Sequence, residues 1–250
     1  MTMSTVTAVP DIQLLCMEES FSRAFQDASQ TLGLPSSVSV SIHECALSQL
    51  PSAVQYDTIV SPANSYGRLD GAFDDAISRA LSPRDDYLAL TRVAQKQLYE
   101  TWRGFAPPGT CTLVSIPDGF RSRSRNVWGV RRVALCPTMR TPGDVNWDRE
   151  VVYECVWSLL CAVDNHNRRI RTGRSEDGET AIRSILMTPL ATGVGRVAPQ
   201  KWAEQLVLAV KHFVEASENP GKWSALGWKD LAVACNEVEA TWVEKADKAT

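Results

Sequence analysis

Several absences in this 250-residue chain narrow what it can be. No apolar run approaches the roughly 18 residues needed to span a bilayer. The opening MTMSTVTAVP has neither the basic start nor the apolar stretch of a secretory signal. A soluble protein of the cytoplasm or nucleus, away from membranes, is the expectation. The three His and seven Cys show no CxxC pair and no zinc-like spacing, so no metal and no cofactor is expected. The odd Cys count, with Cys16, Cys136, Cys155 and Cys161 inside apolar runs, fits reduced core thiols. A net charge of -3 and a pI near 5.7 give no general attraction to nucleic acid. The local run Arg121, Arg123, Arg125, Arg131 and Arg132 reads as a solvated loop. No GxGxxG follows the first apolar run, which disfavours a redox dinucleotide enzyme.

What is present is regular in pattern. Hydrophobic residues make up 44% of the chain, enough for a substantial core. Six runs have strand length and β-branched content: 12–17, 38–43, 57–62, 110–117, 131–137 and 184–190. Between them, apolar residues recur at three and four within 18–32, 74–81, 87–102, 147–169 and 199–217, the spacing of amphipathic helices. This alternation predicts an α/β protein with three α/β/α layers and a mixed, mostly parallel six-stranded central sheet. Charged loops are expected at 118–126 and 171–180, and the helix after residue 147 is expected to start near Asp144 or Asn146. Residues 1–218 read as one domain and 219–250 as a helical extension packed on it. Trp157, Trp202 and Trp242 are spaced as core or anchoring residues.

In such sheets ligands sit beyond the carboxyl ends of the strands. The third run continues into SPANSYGRLDGAFDDAI (61–77). Asn64 there offers an amide donor and acceptor suited to sugar hydroxyls, and Gly71 with Ala72 lets backbone approach a ligand. Asp74 and Asp75 both fall in the first turn of a helix, where one acid is enough to complement the dipole. The sixth run continues into TPLATGVGRVAPQ (188–200), whose two Gly can turn several N–H groups toward one point, an anion cradle. A turn with a purely structural purpose is the equal alternative. Pro137, Thr138 and Met139, after the fifth run, are candidates for the rim.

These stretches resemble the macrodomain family. DTIVSPANSYGRLDGAFDDAISRA is similar to its D-x-I-V-N-A-A-N strand, Gly-rich loop and following helix, and ILMTPLATGVGRV to its G-T-G-x-G-like turn. The likeness runs from about Ile12 to Val214. It implies a macrodomain-like fold with an ADP-ribose pocket. In that pocket Asn64 would hold hydroxyls of the distal ribose, Ala63 would be a further ligand-binding residue, and Gly71, Ala72 and Phe73 would line the first loop with their backbones. Thr192, Gly193, Val194, Gly195 and Arg196 would wrap the diphosphate. Asp74 lies ten residues after Asn64, matching the acid of the G-G-G-V-D motif in hydrolytic members. Asp74, with Asn64, would therefore be catalytic, serving a water that attacks the anomeric carbon.

A monomer is expected, and the resemblance implies a protein that takes ADP-ribose or ADP-ribosylated proteins as partners and hydrolyses mono-ADP-ribose linkages. A non-catalytic reader of ADP-ribose and an ADP-ribose phosphate phosphatase are the alternatives. Asp70-Gly71-Ala72 stands where hydrolytic members have consecutive Gly, a difference that bears on enzyme against reader. Ala46 stands where relatives place the acid that contacts adenine, unless Glu44 substitutes.

Overall fold

Both sides of the central strands are apolar, and this makes the sheet a middle layer. Successive strand side chains point to opposite faces. Leu14 and Leu15, Ile59 and Val60, Ala134 and Leu135, and Ile185 and Leu186 are accordingly divided between two buried clusters. The computed structural model describes residues 9–174 and 178–242. Residues 1–8 of the opening segment, 175–177 of the loop at 171–180 and 243–250 of the tail lie outside the described residues.

The elements run β1 (Asp11–Leu15), α1 (Glu19–Leu32), β2 (Val40–His43), a 3-10 turn (Leu47–Gln49), β3 (Thr58–Ser61), α2 (Ala72–Leu81) and α3 (Ala89–Trp102). They continue with β4 (Thr112–Ser115), α4 (Asp118–Arg121), β5 (Arg132–Leu135), α5 (Val151–Arg171), β6 (Ser184–Met187), α6 (Pro199–Glu218), α7 (Pro220–Trp223) and α8 (Trp228–Glu239). The sheet order is β2-β1-β6-β3-β5-β4, with only β4 antiparallel to its neighbour. Helices α1, α5 and α6 supply the buried residues of one face and α2 and α3 those of the other. The result is a three-layer α/β/α fold with a mixed, mostly parallel six-stranded sheet.

Three local expectations change. Helix α5 starts at Val151 and not near Asp144 or Asn146. The carboxylates of Asp144 and Asp148 accept the N–H groups of Asn146 (2.8 Å) and Glu150 (3.1 Å), and such side-chain turns hold the backbone out of helix. The loop at 118–126 opens with the short helix α4. The basic run is not solvated throughout, because Arg132 belongs to β5 and is buried, which pushes its guanidinium pKa down.

Helix α6 is apolar nearly all round, buried from Trp202 to Val210, because it packs against α1, α5 and α8. Trp202 is fully buried, and truncating such a side chain to Ala typically costs about 3–5 kcal/mol. The segment after α7 is tied to α6 by polar contacts: Lys211 Nζ to Glu237 (2.7 Å), His212 Nε2 to Glu237 (2.8 Å) and Gln205 Nε2 to Thr241 (3.0 Å). Trp242 Nε1 also donates to Glu150 at 3.0 Å. Among the described residues no helix is long and apolar enough to cross a membrane.

Candidate functional site

Strands β1, β3, β5 and β6 run parallel, so their carboxyl ends share one edge of the sheet. The loops that leave these four ends enclose a cavity of about 570 Å³. The β3 and β6 loops, more than a hundred residues apart in sequence, face each other across it. Asn64, Gly71, Ala72, Phe73, Asp74, Thr192, Gly193, Val194, Gly195 and Arg196 all line its wall. Ala63 does not: it is fully buried beneath the loop, where its carbonyl accepts the N–H of Thr138 at 3.0 Å.

That bond and the bridge between Asn64 and Met139 continue the β3–β5 pairing past the strands, which brings Thr138 and Met139 onto the wall. Pro137 stays off it. The Asn64 amide is engaged by its own loop. Its Oδ1 accepts the N–H groups of Tyr66 (3.1 Å) and Arg68 (3.3 Å), and its Nδ2 donates to the Arg68 carbonyl (2.8 Å). One amide hydrogen is left for a ligand, with no unshared acceptor. The Ser78 hydroxyl donates to the Leu69 carbonyl at 2.5 Å, which pins the far end of the loop to α2.

At the start of α2 the backbone is unusual. Ala72 takes a left-handed φ of 47°, a conformation that costs an L-residue about 1–2 kcal/mol. A Cβ built on Gly71 would meet nothing within 4 Å, so packing does not demand a glycine there. Phe73 is buried in the cluster on the α2 face and also borders the cavity.

The two adjacent acids divide as the helix turn requires. Asp75 faces outward, where it accepts from Arg79 Nε (2.7 Å) and the Tyr87 hydroxyl (2.6 Å); those bonds hold its carboxyl below the usual range. Asp74 faces the cavity and is only 6% exposed. Its Oδ1 accepts the Ser61 hydroxyl at 2.6 Å. Burial pushes the Asp74 carboxyl up to about 7, with the Ser61 bond opposing and the charge of Asp70 adding to the rise. Asp70 is itself ion-paired with Arg68.

The β6 loop is built from backbone. The Val197 N–H reaches the Ala191 carbonyl (3.1 Å), and the Arg196 N–H reaches the Gly193 carbonyl (3.0 Å). Ala191 and Arg196, at φ 61° and 59°, make the bends. The two glycines differ. A Cβ on Gly195 would stand 2.4 Å from the Ala191 carbonyl oxygen and 2.9 Å from a Val145 methyl, whereas one on Gly193 would meet nothing within 4 Å. The N–H groups of Gly193, Val194 and Gly195 donate to no acceptor among the described residues, whereas Thr192 closes a turn on Pro189. Pro199 opens the twenty-residue α6 just beyond, and the positive end of that helix adds to the field of the loop. Arg196 is exposed and only distantly paired with Asp144, at 3.9 Å.

The sequence reading missed the β1 loop, whose Met17, Glu18 and Phe21 line the same cavity. The rule about strand ends applies to β1 as well, but MEESF carries no glycine or amide to draw attention. Ala46 and Glu44 are not on the wall, and Glu44 accepts a hydrogen bond from Ser22.

No family model and no curated protein matches the chain. Among solved structures it is similar to an Oceanobacillus iheyensis macrodomain with ADP, at 16% identity and a TM-score of 0.45 over 74% of this chain and 84% of that one. A mutant of that macrodomain with ADPR is similar at 14% identity and a TM-score of 0.46, over 76% of this chain and 90% of that one. The same macrodomain with MES bound gives 17% identity and a TM-score of 0.44, over 74% and 85%.

Proposed function

We propose that this chain binds ADP-ribose in the cavity and hydrolyses mono-ADP-ribose linkages, on proteins or in related conjugates, by water attack at the anomeric carbon. The observation that carries the reading is Asp74, a carboxyl walled into the cavity opposite a loop of N–H groups without acceptors. A group that titrates near the working pH is suited to proton transfer. The volume lies within the range of small-molecule sites, about 300–1,000 Å³. The two sequence motifs that resemble macrodomain loops meet on this one cavity, which their separation in the chain did not guarantee.

In this reading the N–H groups of 193–195 and the α6 terminus hold the diphosphate beside Thr192, and the remaining Asn64 amide hydrogen meets a ribose hydroxyl. Asp74 accepts a proton from the attacking water as its oxygen bonds to the anomeric carbon. The bond to the acceptor oxygen breaks, and its electron pair leaves with the acceptor. An acyl acceptor departs as a carboxylate and needs no proton, so one base and a positioned water suffice.

Calorimetric titration with ADP-ribose and release of ADP-ribose from a mono-ADP-ribosylated acceptor test the proposal together. Binding is expected, as is release that rises with pH through a midpoint near 7, because Asp74 must be ionised to act. Absence of both would end the reading. Binding without release from any linkage would favour the reader, to which the left-handed Ala72 and the Arg68–Asp70 pair in the first loop give specific support.

A further inference from the structure

Ser61 is the last residue of β3, fully buried, and its position follows from the sheet and not from the loop. Its carbonyl accepts the Cys136 N–H at 2.9 Å from the neighbouring strand end, and β3 lies between β5 and β6 in the interior of the sheet. The hydroxyl is therefore carried on a close-packed strand end, held by pairing inside the sheet. It donates at 2.6 Å to Asp74 Oδ1, thirteen residues on, and no other donor among the described residues reaches that carboxylate. The motif reading assigned Ser61 no role. We propose that Ser61 is a positioning residue for Asp74, using the close-packed end of β3 to hold one carboxylate oxygen so that the other serves the cavity. The inference rests on the proposed hydrolysis for its use, while the Ser61–Asp74 contact is independent of any substrate.

The contact has an electrostatic consequence whose sign is fixed. A donor to the ionised carboxylate favours the charged form, so it opposes the effect of burial. The charged groups around Asp74 are few. Asp70 acts on it from the same loop with Arg68 at its side, Asp75 turns away to Arg79 and Tyr87, and β3 contributes only the Ser61 hydroxyl. Removing the hydroxyl should leave a carboxyl that is harder to ionise and less well aimed. Asp70 would continue to raise it.

The test compares Ser61→Ala, Ser61→Thr and wild type in two readouts. The first is the Asp74 titration midpoint by carboxyl carbon NMR, assigned with Asp74→Asn. The second is the pH profile of ADP-ribose release. In Ser61→Ala the midpoint should rise by about half a unit to one unit. At pH 7 that leaves about two- to five-fold less of the ionised form, lowering kcat by at least that factor while KM and the ADP-ribose Kd hold. Ser61→Thr keeps the hydroxyl and should restore both the midpoint and the profile. An unmoved midpoint in a folded Ser61→Ala, or a threonine variant as impaired as the alanine one, overturns the assignment. Wild-type protein without turnover would refute the hydrolase reading, and the NMR midpoint would still decide the Ser61 contact.

Discussion

The two loops that meet at the cavity are built by opposite means. In the β3 loop, side chains make the shape: Asn64 folds the turn, Ser78 pins its end and Ser61 holds Asp74. In the β6 loop the backbone does it, through its own carbonyls, two left-handed residues and a close packing at Gly195. A loop shaped by side chains can present one chemical group at a fixed point, and one shaped by backbone can present a row of N–H groups. The first should therefore tolerate little change in residue type, and the second little change in volume.

The largest test of that contrast is Asp74→Ala. It should cut release about 100- to 1,000-fold and leave ADP-ribose affinity within about fivefold, as measured by single-turnover assay and calorimetry. Equal loss of both would mean that Asp74 holds the ligand and does not only serve the chemistry. Asp74→Asn probes the same residue through stability. The folded carboxyl sits near 7 against 3.8 ordinarily, so the native state binds the extra proton between these values and loses stability as pH rises from about 4 to 7. Asparagine removes that penalty. Denaturant melts at pH 8 should show the variant more stable by a few kcal/mol, with the gain shrinking toward pH 4.

Smaller effects separate the glycines. Gly195→Ala forces a methyl against a carbonyl and should cost about 1–3 kcal/mol, seen as a Tm lower by several degrees. Gly193→Ala should melt like wild type and weaken ADP-ribose binding about tenfold. Should the two variants behave alike, the β6 loop is not divided into a packing glycine and a ligand glycine. The smallest change is expected for Asp75→Ala, which removes an exposed pair and should leave turnover intact and Tm within about a degree.

Much of the fold was legible because its signals are periodic. Five of the six strands lie within the predicted runs and β1 begins one residue earlier, at Asp11, and the two-sided burial of β3, β5 and β6 appears in the sequence as adjacent apolar residues in each strand. The site was legible where residue type is unusual for a strand end, as at Asn64, Gly71 and the paired acids. It was not legible where function depends on which way a side chain turns. Nothing in the sequence says that the Asn64 amide is taken up by its own loop, that Ala63 lies beneath the wall, or that Ser61 reaches Asp74. The Met17–Phe21 wall was hidden because its residues are those of an ordinary helix start.

Three of the four non-glycine residues with positive φ among the described residues, Ala72, Ala191 and Arg196, surround the cavity. Each would relax on conversion to glycine, by roughly 1 kcal/mol. Random libraries sorted only for heat resistance should therefore be drawn to the one region where a gain in robustness costs performance. Selection for thermal survival alone would map this cavity before any ligand was in hand.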